Sequence, residues 1–194
     1  MENLENLCAT ITQEADKILY DLGLLSALKK FGEVFITGSY YLNLMTWRDL
    51  DMYIDKSNMS EKDFFKLGYS ISSVVQPYRM SYRNELISKT KGLPEGFYWG
   101  VYTNIIQPNT WKIDVWAVDS KQLADFRESS ANLKSQIDPQ KRAKILEIKH
   151  KVHNHPLYRK EFKSIDIYQA VLQESIADLE GFTSWLKDTR NVFF

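Results

Sequence analysis

The spacing of apolar residues predicts a helical opening, a central group of strands and a helical final third. Apolar residues recur at three- and four-residue intervals from Leu4 to Leu22, which is typical of an amphipathic helix. Gly23 interrupts this pattern, and one or two further helical turns are expected before Gly32. The final third shows the same helical spacing over three stretches, residues 120–136, 139–153 and 164–187.

Strand patterns fill the middle of the chain. Within residues 48–55 the apolar side chains of Leu50, Met52 and Ile54 alternate with polar ones, so the two sets face opposite sides of a strand. Further strands are predicted over residues 33–38, 78–89, 97–106 and 111–119, and helices over residues 40–46 and 60–76. The sequence therefore predicts an α+β fold, a mixed sheet flanked by helices. We expect residues 1–119 to form the core and residues 120–194 a C-terminal helical segment packed on it.

Two carboxylates share one face of the predicted strand at residues 48–55. Side chains alternate across a strand, so Asp49 and Asp51 point the same way. Like charges this close repel each other unless a cation lies between them, and Mg²⁺ prefers oxygen ligands. Asp114 lies in the apolar strand "WKIDVWAVD", where an unpaired buried carboxylate would be unfavourable. If the two strands are neighbours, Asp114 completes a site for one or two metal ions.

Gly38 and Ser39 follow the first predicted strand and supply a second element of chemistry. A strand that turns into a helix at a glycine exposes backbone N–H groups, and glycine lets a ligand approach the backbone closely. The Ser39 hydroxyl can donate a hydrogen bond to a phosphate oxygen. A phosphate cradle beside metal-binding carboxylates is the minimum set for phosphoryl or nucleotidyl transfer.

The spacing Gly38-Ser39, nine residues, Asp49-Leu50-Asp51, with Asp114 on a later strand, resembles the signature of the DNA polymerase β-like nucleotidyltransferase superfamily. Within this superfamily, the small size of the chain and its helical C-terminal part are similar to those of the aminoglycoside and lincosamide nucleotidyltransferases and of the minimal MNT-type enzymes. The resemblance covers roughly residues 31–119. The motif departs from the MNT pattern in carrying Leu42-Asn43 in place of Arg-Gly, and Arg48 before the first aspartate.

The resemblance implies a nucleotidyltransferase fold, a nucleoside triphosphate donor, ATP by expectation, and Mg²⁺ as cofactor with Mn²⁺ as the alternative. Gly38 and Ser39 take the family's phosphate-binding positions. Asp49 and Asp51 take the positions of the metal-binding pair. Asp114 takes that of the third carboxylate, which in many members helps to activate the acceptor hydroxyl.

A basic stretch follows at residues 141–163, with eight lysines or arginines and two glutamates. One interpretation is a positive wall over the cleft that helps to bind the triphosphate, with Lys149 as the chosen residue. A strip for nucleic acid and a solvated helix face are the other two interpretations.

Composition bears on the partners and the cellular compartment of the protein. The chain of 194 residues has 25 basic and 25 acidic side chains, so overall charge does not favour nucleic acid or membrane as a partner. A single cysteine, the absence of a signal-peptide pattern and the lack of a long apolar run predict a cytoplasmic protein with no membrane association.

The leading hypothesis is an enzyme that transfers a nucleoside monophosphate to a hydroxyl of a small molecule or a protein. A catalytically weak nucleotide-binding regulatory or partner-binding protein on the same fold is the alternative. A polymerase acting on RNA ends is a third hypothesis, which the zero net charge disfavours.

Overall fold

The computed structural model describes residues 4–194, which form a five-stranded mixed sheet with helices on both of its faces. The strands are β1 (Val34–Thr37), β2 (Asp49–Asp55), β3 (Arg79–Asn84), β4 (Gly96–Thr103) and β5 (Trp111–Val118). The helices are α1 (Leu4–Asp16), α2 (Leu24–Lys29), α3 (Gly38–Tyr41), α4 (Glu61–Val75), α5 (Glu85–Ser88), α6 (Ser120–Ser135), α7 (Pro139–Val152), α8 (Ser164–Gln173) and α9 (Leu179–Arg190). A π-helical turn, Lys17–Asp21, continues α1.

The sheet order is β1-β2-β5-β4-β3, and only β2 and β5 run parallel. The crossover that brings β5 beside β2 includes α4, β3 and β4. The parallel register places Asp51 opposite Asp114 and Asp49 opposite Lys112. The fold thus brings together two segments that are more than sixty residues apart in the sequence.

The two faces of the sheet differ as the alternation in β2 predicts. Leu50, Met52 and Ile54 are buried in the core. On this core face α4 packs against β4, and the indole N–H of Trp99 donates to the carbonyl of Phe64 at 3.0 Å. On the opposite face α6 covers β1 and β2, with the Tyr53 ring stacked on a ring of α6. The site-bearing end of this second face stays open.

The last helices form a layer beside the sheet. Helix α7 contacts α1, α8 and α9, and α8 contacts α9. None of the helices between residues 4 and 194 combines the length and apolar character that a membrane span needs. The division of the chain at residue 120 stays a prediction.

Several predicted elements differ in their bounds. The helix predicted over residues 40–46 is the four-residue α3, and the strand predicted over residues 78–89 ends at Asn84, where the chain turns into α5. The helix predicted over residues 164–187 is two helices, because Ser175 takes a positive φ of 57° and the Asp178 side chain caps α9 by accepting from Gly181 N at 2.8 Å. Gly23, with φ of 83°, interrupts the first helical region as expected.

Candidate active site

Three carboxylates converge where β2 and β5 lie side by side. One oxygen from each of Asp49, Asp51 and Asp114 can be chosen so that all three lie within 4.8 Å of one another. The parallel pairing of β2 and β5 produces this triad, because Asp51 and Asp114 are directly opposite each other. The predicted convergence of the three carboxylates is therefore what the structure shows.

The electrostatics of the triad show how strongly it requires a cation. Burial, followed by the charges of Asp49 and Asp114, raises the pKa of Asp51 to about 8. Burial raises the pKa of Asp114 as well; Lys112 opposes this rise and Asp49 adds to it. A hard divalent cation bound by carboxylate oxygens would relieve this repulsion, so the donor set fits Mg²⁺ or Mn²⁺.

Lys112 is a member of this cluster that the sequence interpretation missed. Its ammonium lies 2.5 Å from Asp114 Oδ2 and 3.3 Å from Asp49 Oδ1. Burial alone would lower the pKa of Lys112, but the charges of Asp49 and Asp114 raise it above its ordinary value. The signal was present in the sequence, since Lys112 precedes Asp114 by two residues in a strand and must share its face.

Tyr98 on β4 also contacts the triad. Its hydroxyl donates to Asp114 Oδ1 at 2.9 Å. Burial and the charge of Asp114 raise the pKa of Tyr98, so the phenol stays protonated as a donor. Gly100 is opposite Asp114, and a Cβ there would lie 2.4 Å from the Tyr98 hydroxyl oxygen. The missing side chain at residue 100 therefore makes room for the tyrosine to reach the carboxylate.

Gly38 and Ser39 lie beside the triad at the end of β1. Thr37 pairs with Asp51, so the chain turns immediately next to that carboxylate. Gly38 has φ of 65°, and a Cβ on it would lie 2.4 Å from Asp51 Oδ2. Both the conformation and the close approach require glycine here. Ser39 follows as the second residue of α3 and is 9% exposed.

These groups line one cleft of about 570 Å³. One side, the sheet wall, consists of Asp49, Asp51, Lys112 and Asp114. The other side, the helical wall, comes from α8 and the loop before it, and consists of Tyr158, Arg159, Lys163, Ser164, Ile165 and Tyr168. Further lining residues are Gly38, Ser39, Trp47, Tyr53, Leu93, Pro94 and Trp116.

Lys149 does not lie in the cleft, contrary to the predicted positive wall. Its side chain is fully buried behind the helical wall, where the ammonium donates to Leu44 O at 2.7 Å and to the Tyr168 hydroxyl at 3.1 Å. The ammonium also lies 4.6 Å from the centre of the Trp47 ring. Burial lowers the pKa of Lys149 to about 7, with smaller opposing effects from Cys8, Asp49 and Asp51.

Two other residues of the same basic stretch do reach the cleft. Arg159 and Lys163 both line it, and one guanidinium nitrogen of Arg159 lies 3.8 Å from Asp49 Oδ2. Arg159 takes a positive φ of 69° and its backbone N–H donates to Phe162 O at 2.7 Å, so a tight loop holds it at the mouth. The basic stretch therefore contributes cations to the cleft through its last residues.

The two departures from the MNT pattern have structural roles. Arg48 forms a bidentate pair with Glu14 of α1 at 2.6 Å, which ties the start of β2 to α1. Asn43 adopts φ of 56°, a conformation in which glycine is the usual residue and asparagine is tolerated. Neither residue removes a carboxylate from the triad.

Comparisons with known proteins identify the fold. A cytoplasmic RNA terminal U-transferase has a TM-score of 0.58 at 13% identity, covering 89% of this chain and 54% of that chain. The Cid1 poly(U) polymerase with bound MgGTP has a TM-score of 0.57 at 15% identity, covering 88% and 55%. Terminal uridylyl transferase 4 from Trypanosoma brucei with bound UPU has a TM-score of 0.54 at 13% identity, covering 88% and 58%.

The chain spans little more than half the length of these solved structures. No protein-family model matches the sequence, and no curated protein matches it. The structural matches confirm the predicted α+β nucleotidyltransferase fold, while the aminoglycoside, lincosamide or MNT subtype stays a prediction. The expectation that nucleic acid is an unlikely partner finds no support among these proteins, the first of which is named for RNA.

Proposed function

We propose that this protein is a metal-dependent nucleotidyltransferase that transfers a nucleoside monophosphate from a nucleoside triphosphate to an acceptor hydroxyl and releases pyrophosphate. The observation that carries this proposal is the convergence of three carboxylates beside Gly38 and Ser39 in one cleft. Three carboxylates within 4.8 Å repel one another unless cations balance their charge.

Asp49, Asp51 and Asp114 are the residues that would hold the metal. A bound Mg²⁺ or Mn²⁺ would neutralise phosphate charge and orient the donor for in-line attack. Gly38 leaves space beside Asp51, and Ser39 offers a hydroxyl to a phosphate oxygen. Arg159 and Lys163 would supply positive charge from the helical wall, in the part that the sequence interpretation gave to Lys149.

Asp114 is best placed to accept the acceptor's proton. It lies on β5 next to β4, and Tyr98 and Lys112 each contact one of its two oxygens. Its raised pKa makes it a better base than an ordinary aspartate. As the hydroxyl oxygen bonds to the α-phosphorus, the proton goes to Asp114 and the bond to the pyrophosphate oxygen breaks.

The acceptor class is narrowed by the charges of the cleft. Outside the three carboxylates, the charged residues lining it are all cations, namely Lys112, Arg159 and Lys163. This does not suit a polycationic acceptor such as an aminoglycoside. A protein hydroxyl or a neutral small molecule remains compatible, with ATP as the expected donor.

An RNA end is a second candidate acceptor, favoured by the face of the sheet next to Asp114. Arg79 and Arg83 on β3 are exposed on the same face as the triad. Their guanidinium carbons lie 3.8 Å and 5.9 Å from the ring centres of Tyr102 and Tyr98. Cations interleaved with rings are typical of single-strand binding surfaces. The similar solved structures are named as terminal uridylyl transferases or a poly(U) polymerase, so UTP joins ATP as a candidate donor.

A weakly catalytic nucleotide-binding protein is the alternative, and Lys112 is the observation that favours it. An ammonium between two of the carboxylates can balance the triad without a metal. Calorimetry with Mg²⁺ and non-hydrolysable ATP and UTP analogues tests binding, and pyrophosphate release tests transfer. Metal-dependent binding with transfer supports the enzyme, whereas metal-independent binding without transfer supports the alternative.

A further inference from the structure

The ammonium of Lys112 contacts two of the three carboxylates that would hold a metal. It is 2.5 Å from Asp114 and 3.3 Å from Asp49, and the side chain is 22% exposed. These contacts use one oxygen of each of two of the three carboxylates that could form the metal site. A divalent cation and this ammonium therefore compete for the same negative charge.

The position of Lys112 is fixed by the sheet and not by a flexible loop. Its Cα is paired with that of Asp49 across β2 and β5, and its N–H donates to Arg48 O at 3.1 Å. Arg159, which also pairs with Asp49, lies farther away at 3.8 Å and is half-exposed. Lys112 is consequently the main positive charge within the triad itself.

We propose that Lys112 is a resident counter-cation that restricts binding of free metal, so that metal binds well only together with the nucleotide. The proposal rests on the metal site of the proposed function. Free metal gains carboxylate ligands but leaves the displaced ammonium without an anionic partner. A nucleotide brings phosphate oxygens into the same cleft, and these offer the ammonium a replacement partner.

This arrangement couples the binding of metal and of nucleotide. Each should increase the affinity of the other by the same factor, because linkage between two binding sites is reciprocal. Removal of the ammonium should raise the affinity for metal alone and reduce that factor. A lysine that only stabilised the fold would show neither effect.

The test is Mn²⁺ binding in the absence of nucleotide, measured from the free-ion signal in electron paramagnetic resonance. Lys112→Met keeps the length of the side chain and removes its charge. Lys121→Met is the matched control, since Lys121 pairs with Asp125 on the exposed face of α6. We expect Lys112→Met to bind Mn²⁺ about tenfold tighter than wild type, corresponding to about 1.4 kcal/mol, and Lys121→Met to match wild type.

Equal or weaker Mn²⁺ binding by Lys112→Met would overturn the proposal. If that variant fails to fold, Lys112→Arg is the second variant to measure, because it keeps the charge and should retain the weak binding of wild type. Tight Mn²⁺ binding by Lys112→Arg would contradict the competition. If wild type transfers no nucleotide but Lys112→Met gains metal affinity, the proposed function fails and the counter-cation stands.

Discussion

Lys112, which is half-buried, and Lys149, which is fully buried, lie on opposite sides of one cleft, and their pKa values are shifted in opposite directions. On the sheet wall, Lys112 has two carboxylate partners, and its pKa is raised. Behind the helical wall, Lys149 has a carbonyl, a phenol and an indole ring as partners, and its pKa is lowered to about 7 by burial.

The difference shows that the partners of a lysine held partly or fully away from water determine whether it keeps its proton. Desolvation acts against the charge of both ammonium groups. Only the sheet wall supplies formal negative charge at contact distance. The sheet wall is therefore built to hold cations, whereas Lys149 supports the residues of the helical wall.

Replacing Asp49 and Asp51 should have the largest effect on the function of the sheet wall. We expect the double variant Asp49→Asn with Asp51→Asn to lose Mg²⁺-dependent nucleotide binding and transfer, since several kcal/mol of charge stabilisation depend on these oxygens. The melting temperature should stay equal or rise, because the repulsion within the triad is relieved. Calorimetry and thermal unfolding measure the two effects. Unchanged Mg²⁺-dependent binding would refute the metal site.

A substitution at Asp114, also in the sheet wall, should separate nucleotide binding from the transfer reaction. Asp114→Asn should retain most of the nucleotide affinity while the transfer rate falls about 100-fold or more, the scale of a lost general base. Pyrophosphate release under saturating donor measures the rate, and calorimetry measures the affinity. An equal loss of both would show that this carboxylate serves only to bind.

A substitution at Gly38 tests whether nucleotide binding needs the close approach of the turn after β1 to Asp51. Gly38→Ala should lower the free energy of unfolding by about 1–3 kcal/mol, because the left-handed conformation is strained for alanine. The new methyl group would also press on Asp51 and weaken nucleotide binding. Gly92→Ala is the control, since Gly92 has φ of 83° with open space around it. If both variants bind nucleotide equally well, the close approach has no functional role.

Comparing Lys163→Met with Lys149→Met tests which lysine at the helical wall binds the nucleotide. Lys163→Met should weaken nucleotide binding severalfold without changing the melting temperature, because its side chain lines the cleft. Lys149→Met should act mainly on stability. If Lys149→Met weakens nucleotide binding and Lys163→Met does not, Lys149 is the residue that binds the nucleotide.

The lowered pKa of Lys149 gives the most specific effect. The folded protein releases this proton near pH 7, whereas the unfolded chain keeps it to about pH 10.5. The unfolded state thus binds more protons between these values, so stability rises with pH. Relative to Lys149→Met, wild type should gain up to about 1.4 kcal/mol for each pH unit above 7, measured by urea unfolding. If the difference in unfolding free energy between the two proteins does not change with pH, the pKa of Lys149 is not lowered in the folded protein.

The sequence predicts the local features of the site well and its long-range geometry poorly. Alternation in β2 was enough to place Asp49 and Asp51 on one face. The meeting with Asp114 depends on β5 inserting between β2 and β4, and a local pattern cannot show which strands become neighbours. The resemblance to a known superfamily, and not periodicity, supplied that pairing.

The misplacement of Lys149 has a local cause. Its spacing of four from Ile145 and three from Val152 puts it within the apolar stripe of α7, and all three side chains are buried. A lysine in such a stripe faces the core unless its stem can reach solvent. Counting basic residues along the segment did not reveal this spacing, and Arg159 and Lys163, which do reach the cleft, lie after the end of α7 where no helical spacing indicates them.

The most direct measurement of the central claim is pyrophosphate release by wild type with Mg²⁺, ATP or UTP, and a panel of acceptors. The panel contains a single-stranded RNA, a protein substrate mixture and neutral and cationic small molecules. We predict release that requires both metal and an acceptor, is lost with Asp49→Asn and Asp51→Asn, and is not supported by the cationic small molecules. Acceptor-dependent release that persists in the double variant, or in the presence of a metal chelator, would contradict the account.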